Sequence, residues 1–457
     1  MTCTQRHIEV DALIGGAGVT GAAAAWTAAA YSNLRNIAII EKYGEPGMVN
    51  SHPRNNAQTL HEGNTETNYS LEHALEIRDM AGLIGGYCRM KNDPELFQVR
   101  PRMALGVTRE EVAKLERRYA EFKPHYPDLE LIYRDEIEKR EPKIVEGRRP
   151  GAPLCALVSR KGDIVNYQKL AKHLLEDAQK LNPELQIHFN TEIRTVRKVS
   201  EGYIVETNNG LVFHARTLVF ATGAYSLHFA QMLGYGQKYG ILSVRGSFFD
   251  AGTQVQSKVY RVQVEGKPFA EIHMDPDILD MNISRCGPTT LPVPLMESRH
   301  WETCPDYLQM FFRSPWATLH GFYSLARILS DWWLLKYVFK HGFYELPVIG
   351  PWLFLREVRP IIPTIRYKDL KYRKDAGGLR PQIINLETGE LLMGNVTIKG
   401  DKEKGDHFIA VSTPSPGASA SMGNGEDIVE TLVDRLGPGY HFDKERFRKE
   451  LLNYRNQ

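Results

Sequence analysis

The chain has 457 residues, 42% hydrophobic and 25% charged, which exceeds one compact core at ~100–200 residues per domain and excludes a disordered or fibrous protein. Its 57 Lys and Arg against 55 Asp and Glu leave a formal charge of +2, so nothing offers nucleic acid a broad electrostatic footprint. Five cysteines, at 3, 88, 155, 286 and 304, never fall in C-x-x-C spacing and suggest neither a disulfide framework nor a zinc site.

The N-terminal "MTCTQRHIEVDALIGG" enters a strand pattern at once, without the layout of a signal or transit peptide, and a cytoplasmic location is expected. "IEVDALI" reads as a buried strand, "GGAGVTG" turns it into the Ala-rich helix "AAAAWTAAAYS", and "NIAIIEK" returns as a second strand. This βαβ unit carries Gly16, Gly18 and Gly21 as G-A-G-V-T-G, with Glu41 closing the second strand 20 residues past Gly21. The first glycine permits the tight turn, the second lets backbone approach a pyrophosphate, and the third allows close helix packing. The helix N-terminus faces the anion, and an acid at Glu41 suits ribose hydroxyls. One dinucleotide is expected, because "GYGQKYG" at 234–240 has the wrong spacing for a second site.

Next comes "NSHPRNNAQTLHEGNTETNYS", residues 50–70, polar and without helical or strand period. Segments 68–91 and 108–125 have helical spacing, and "DIVNYQKLAKHLLEDAQKL" is an amphipathic helix with Ile164, Tyr167, Leu170, Ala171, Leu174 and Ala178 in one stripe. Alternating strands follow to Gly223, short strands dominate 241–294, and helical spacing rich in aromatics runs from 296 to 345. Strands after Gly377 lead into "HFIAVSTPSPGASAS", and "MGNGEDIVETLVDRLG" reads as a final helix ended by Gly437.

Several of these segments carry a resemblance. "ARTLVFATGAYS", with Thr222 and Gly223, resembles the strand that meets FAD in two-dinucleotide-binding flavoproteins. "GDIVNYQKLAKHL", "GLRP" at 378–381 and "SPGAS" at 415–419 resemble a helical segment, a substrate-carboxylate motif and a late flavin loop of the D-amino-acid-oxidase-like superfamily. Within it, "NNAQTLHEGNTETNYSLEHA", "GGLRPQ", "LLMGNVTI" and "TPSPGASAS" are similar to the malate:quinone oxidoreductase family over about Val10 to Leu436. Arg245 in "SVRGSF" and "RCGPTTLPVP" at 285–294 depart from the usual family pattern.

The resemblance implies an α/β chain (α+β overall) with a Rossmann-like FAD-binding domain of residues 1–90, 155–240 and 378–457. An interleaved substrate domain of mixed sheet and helices would take 91–154 and 241–377. The implied reaction is oxidation of L-malate to oxaloacetate, with hydride passing to flavin N5 and electrons to a membrane quinone. Arg380 is the expected carboxylate ligand, since guanidinium grips carboxylate bidentately. A base with pKa near working pH is most readily histidine. His61 ranks first, His407 second and His273 third.

Asn55, Gln58, Tyr69 and Arg245 are candidates for the second carboxylate, and Asn56 for the flavin. Amides of Gly417, Ala418 and Ser419 would stabilise negative charge on reduced flavin. The competing functions are 2-hydroxyglutarate dehydrogenase, amino-acid oxidase, or a flavin-binding sensor without turnover. No segment is a spanning helix, for Lys336, Lys340, His341, Glu345, Pro347 and Pro351 interrupt the most apolar one. Residues 301–354 hold five of the six tryptophans and 15 of the 45 aromatics. They form either a helical subdomain with an aromatic core or a membrane face admitting a lipid quinone.

Overall fold

The structure is a computed structural model that describes residues 6–263, 271–330, 332–346, 348–392, 394–414 and 417–455. Cys3, Met393 of "LLMGNVTI" and Ser415 and Pro416 of "SPGAS" lie outside the described residues. Seven strands matter most for the site: β1 (Arg6–Gly15), β2 (Ile37–Ile40), β3 (Gln186–His188), β4 (Leu211–Phe220), β5 (Tyr239–Arg245), β6 (Leu379–Asn385) and β7 (Phe408–Ser412). The helices used below are α1 (Val19–Tyr31), α2 (Leu71–Lys91), α3 (Tyr167–Leu181), α4 (Trp332–Tyr344), α5 (Ser421–Leu436) and α6 (Lys444–Arg455).

The first sheet runs β7-β4-β1-β2-β3 with all neighbours parallel. Strand Val396–Lys399 adds antiparallel to β7, and the hairpin Ile193–Val199 with Gly202–Thr207 pairs onto β4. A parallel strand covered on both faces needs a continuous apolar run, which β1 and β2 supply in "ALIG" and "IAII". On one face α1, α3 and α5 close a core that includes Ile14, Ala24, Leu170, Leu174, Ile428 and Leu432. Helix α1 is buried nearly all round because alanines let α3 and α5 approach it from two sides.

The second sheet has eight strands and includes Arg102–Gly106, Leu129–Tyr133, Cys155–Ser159, Lys258–Arg261, His273–Asp277 and Asp280–Gly287. A third, small sheet pairs β5 antiparallel to β6. Two sequence expectations shift. Strand Cys155–Ser159 pairs with Arg102–Gly106, so the segment assigned to the FAD-binding domain from residue 155 begins inside the second sheet, joined by its ladder to the 91–154 segment. The helix at 421–436 is not the last, since α6 follows and packs on α2, Gly86 coming so close to Leu451 that a Cβ would lie 1.9 Å from its carbonyl oxygen. Among the described side chains of the charged "KERFRKELLNYR" only Phe447 and Leu451 are fully buried, too few apolar positions for the period to show.

Candidate active site

One cavity runs from the end of β1 to the start of β6, passing under the 50–61 run and the loop before α5. At its nucleotide end Gly16 has φ +92°, a conformation that L side chains avoid, and an added Cβ would lie 2.6 Å from the carbonyl oxygen of Ala221. A Cβ on Gly21 would fall 1.9 Å from the carbonyl oxygen of Gly16, whereas one on Gly18 would meet nothing nearer than Ser51 Oγ at 3.5 Å. Gly16 and Gly18 line the cavity; Gly21 lies behind them and allows α1 to start there. Ser51 Oγ accepts from Val19 N at 3.0 Å, fixing the 50–61 run against the first turn of α1.

Glu41 sits at the end of β2, lines the cavity and accepts from Ala17 N at 2.8 Å and Tyr43 N at 3.1 Å. Burial raises its pKa despite those two donors. Thr222 and Gly223 line the opposite wall, with Thr222 N bonded to Ser226 Oγ at 3.0 Å. A backbone cradle that any Cβ would fill, a helix N-terminus aimed into it and a ribose acid beside it fit the pyrophosphate and adenosine of FAD. The continuation of the same cavity to Arg380 fits the flavin half.

The 50–70 run is a laced frame more than a set of ligand hooks. Asn55 Nδ2 donates to Val49 O at 2.8 Å, and Asn56 Nδ2 donates to Asn50 O and His52 O, both at 2.9 Å. Gln58 is fully buried: Nε2 donates to Pro53 O at 2.9 Å and Asp277 Oδ1 at 2.8 Å, and Oε1 accepts from Ile278 N at 2.8 Å. All three line the cavity while their amide groups bond their own loop and the second sheet. A loop without periodic secondary structure must satisfy its backbone with side chains, and asparagine is the residue suited to that.

At the substrate end His61 lines the cavity, its Nδ1 2.7 Å from Glu66 Oε1 and its backbone N donating to Ser419 Oγ at 2.9 Å. Burial works to raise the Glu66 carboxyl, but the Arg102 guanidinium 3.5 Å away, together with His61, holds it down at about 2. Glu66 is therefore ionised and can only accept, so Nδ1 carries the imidazole proton and the lone pair rests on Nε2. Burial lowers the His61 pKa, outweighing the opposite pull of Glu66. Arg102 is itself locked by Leu60 O at 2.8 Å and Asn64 Oδ1 at 2.7 Å.

Arg380 lines the same end. Burial lowers its pKa from the ordinary arginine value, and its charged-state neighbours are the phenols of Tyr337, Tyr69 and Tyr260. Among the described residues no carboxylate pairs with it, which leaves a half-buried guanidinium lining a cavity with its own anion still to be supplied. Tyr69 is not part of the lining; burial raises its pKa, and Glu66 and Arg380 act on it electrostatically in opposite directions. Gly417, Ala418 and Ser419 line the cavity in the turn before α5, which starts at Ser421.

Three candidates do not converge. His407 precedes β7 and borders a separate surface groove with Lys402, Glu430 and Tyr440; five strand residues at ~3.3 Å each separate it from the loop that reaches the cavity. His273 is buried, stacked on Tyr260 at 4.4 Å with Nε2 3.2 Å from Asp275 Oδ1, and faces the interior of the second sheet. Arg245 is already neutralised by Glu345 at 3.0 Å. Sequence reasoning passed over Glu66, Arg102, Ser51 and Glu345. Only Glu66 carried any signal, as an acid inside the same run as His61.

Fold and site together define a FAD-dependent oxidoreductase, and the family described as FAD dependent oxidoreductase matches residues 11–292. The probable malate:quinone oxidoreductase of Campylobacter jejuni is 35% identical over 456 residues, covering 97% of this chain and 99% of that protein. The malate:quinone oxidoreductase of Helicobacter pylori strain J99 is 32% identical over 450 residues, covering 97% and 98%. The chain belongs to the malate:quinone oxidoreductase family, and its cofactor is FAD. Among solved structures, the FAD-bound L-alpha-glycerophosphate oxidase of Mycoplasma pneumoniae superposes with a TM-score of 0.64 at 18% identity, covering 93% of this chain and 95% of that one. Glycine oxidase from Geobacillus kaustophilus gives 0.63 at 18%, covering 96% and 98%. These two share the fold.

Proposed function

We propose that the chain oxidises L-malate to oxaloacetate at the His61–Arg380 end of the cavity and passes the electrons to a quinone. The observation that carries this reading is the pairing, in one cavity with the nucleotide cradle, of a carboxylate-bound imidazole and a half-buried guanidinium that has no partner carboxylate among the described residues. Gly16, Gly18, Glu41, Thr222 and Gly223 would hold FAD at the nucleotide end, and the amides of Gly417 to Ser419 would face the flavin. When bound, FAD supplies the two-electron acceptor that takes the hydride from C2.

The protein's part is binding, orientation and one proton. Arg380 takes the C1 carboxylate in a forked pair of hydrogen bonds, fixing C2 and its hydroxyl relative to His61. Nε2 of His61 accepts the hydroxyl proton as hydride leaves, so malate loses two protons and two electrons in all. Glu66 receives the Nδ1–H and balances the imidazolium, with Arg102 fixing the carboxylate in turn.

An anaerobic titration of the FAD-loaded protein with L-malate should bleach the flavin band at about 450 nm. Bleaching by 2-hydroxyglutarate or an amino acid but not by malate would reassign the substrate. No bleaching by any such acid would point to flavin binding without turnover.

The aromatic helices turn outward. Leu319 is 68% exposed, Phe322 59%, Trp332 74% and Phe339 63%, beside exposed Lys336 and Lys340. Among the described residues no helix is long and apolar enough to cross a membrane. Among the described side chains Tyr344 and Phe354 are buried, and the exposed ones form a surface suited to lipid. This face lies peripherally on a membrane, where a lipid quinone is dissolved. In co-sedimentation with anionic vesicles, Trp332→Glu with Phe339→Glu should release the protein while soluble-dye reduction persists; equal sedimentation would remove this face from docking.

A further inference from the structure

Glu345 takes no part in the chemistry above, yet its carboxylate is buried and gathers four donors. Oε2 accepts from Arg245 Nη2 at 3.0 Å, Ser247 Oγ at 3.1 Å and the Tyr372 hydroxyl at 2.6 Å, and Oε1 accepts from Thr289 Oγ1 at 2.5 Å. Ser247 N also donates to Thr289 Oγ1 at 2.9 Å, so the two segments are tied to each other as well as to the acid. Gly246, Phe248 and Pro288, neighbours of these donors in the chain, line the substrate end of the cavity.

The same segment grips the strand that carries Arg380. In the β5–β6 ladder Val244 lies opposite Arg380 and Arg245 opposite Leu379, and Gly246 N donates to Gly378 O at 3.0 Å. On the other side Leu379 N donates to Asn50 Oδ1 at 3.1 Å, and a Cβ on Gly378 would lie 2.1 Å from Asn55 O. The turn before Arg380 is therefore held in a vice. One jaw is the laced 50–56 run, anchored within itself. The other is the end of β5, paired through Val244 and Arg245 with Pro292 and Leu291, and Glu345 ties its last side chains down. A buried guanidinium and three hydroxyls converging on one carboxylate leave that jaw a single low-energy position.

We propose that Glu345 is a positioning residue for substrate capture, holding the end of β5 so that Arg380 presents its guanidinium to the C1 carboxylate. The inference rests on the reading of Arg380 as the carboxylate ligand. It also explains the spacing of Tyr337, His341 and Glu345, which recur every four residues along α4 and just past it. His341 Nδ1 accepts from Thr290 N at 2.9 Å, so this inner stripe of α4 binds the wall of the substrate end while its opposite side is exposed.

The test uses FAD-loaded full-length protein with a soluble dye as acceptor. Glu345→Gln should raise KM for L-malate about tenfold with kcat changed less than about threefold and the flavin spectrum retained, since a displaced guanidinium weakens capture before it affects the proton transfer. Glu345→Asp, which keeps the charge, should recover part of the loss. Tyr372→Phe removes one donor and should raise KM about twofold to threefold, which keeps the idea testable if the Gln variant does not fold. An unchanged KM in Glu345→Gln or Tyr372→Phe, alongside a raised KM in Arg380→Leu, overturns the role of Glu345 and leaves Arg380 in place. If Arg380→Leu itself leaves KM unchanged, the reading of Arg380 fails first. Loss of FAD and of kcat at constant KM would make Glu345 merely structural and also overturn the proposal.

Discussion

The two ends of the cavity are built on opposite principles. The nucleotide end is made of backbone: Gly16, Gly18 and Gly21 act by lacking a side chain, and the nearest substitution meets a carbonyl at 1.9 Å. The substrate end is made of side chains: His61, Glu66 and Arg102 orient one another, and Arg380 stands beside them on the cavity wall. A cradle of backbone fails all at once, because a clash cannot be relieved by a rotamer change. A constellation of side chains fails by degrees, because each member tunes the next.

That contrast can be broken by experiment. Gly21→Val should give the largest effect, loss of FAD on gel filtration, because its side chain would overlap Gly16; a flavin-replete variant would show that the turn can open. His61→Gln should keep FAD and lower kcat for malate by roughly 10²–10⁴, the usual worth of a positioned base. The wild-type kcat/KM should fall as pH drops through the His61 pKa, which burial places below the ordinary histidine value, since the protonated ring cannot accept the hydroxyl proton. The smallest effect should come from Glu66→Gln. Glu66 raises the His61 pKa, so its neutralisation should move that acidic limb to lower pH; a limb that stays fixed would detach Glu66 from the base.

The same contrast explains what could be read without coordinates. Glycine spacing and the acid at 41 are legible because backbone geometry imposes residue identity at fixed offsets. Arg380 is singled out by the "GGLRP" turn, and it lines the cavity. Arg245 was misassigned because its partner stands 100 residues away, just past α4. Likewise the amides of Asn55, Asn56 and Gln58 are the right chemistry for a ligand, and only the folded loop reveals that its own carbonyls claim them. His407 failed for a simpler reason, a strand having two ends and only one reaching the cavity. The aromatic stretch was legible in composition and ambiguous in direction, because short amphipathic helices do not say which face turns inward.

The first sheet draws its strands from both ends of the chain: β1 and β2 lie within the first 40 residues, β7 ends at 412, and Ser419 touches the backbone of His61. A ribosome that has completed the glycine turn has made a cradle without its far wall. The cofactor can be gripped in full only after almost the entire polypeptide has emerged, and a ligand that favours the finished fold then stabilises all of it through mass action. A cell short of flavin should therefore accumulate this protein less as well as work it more slowly.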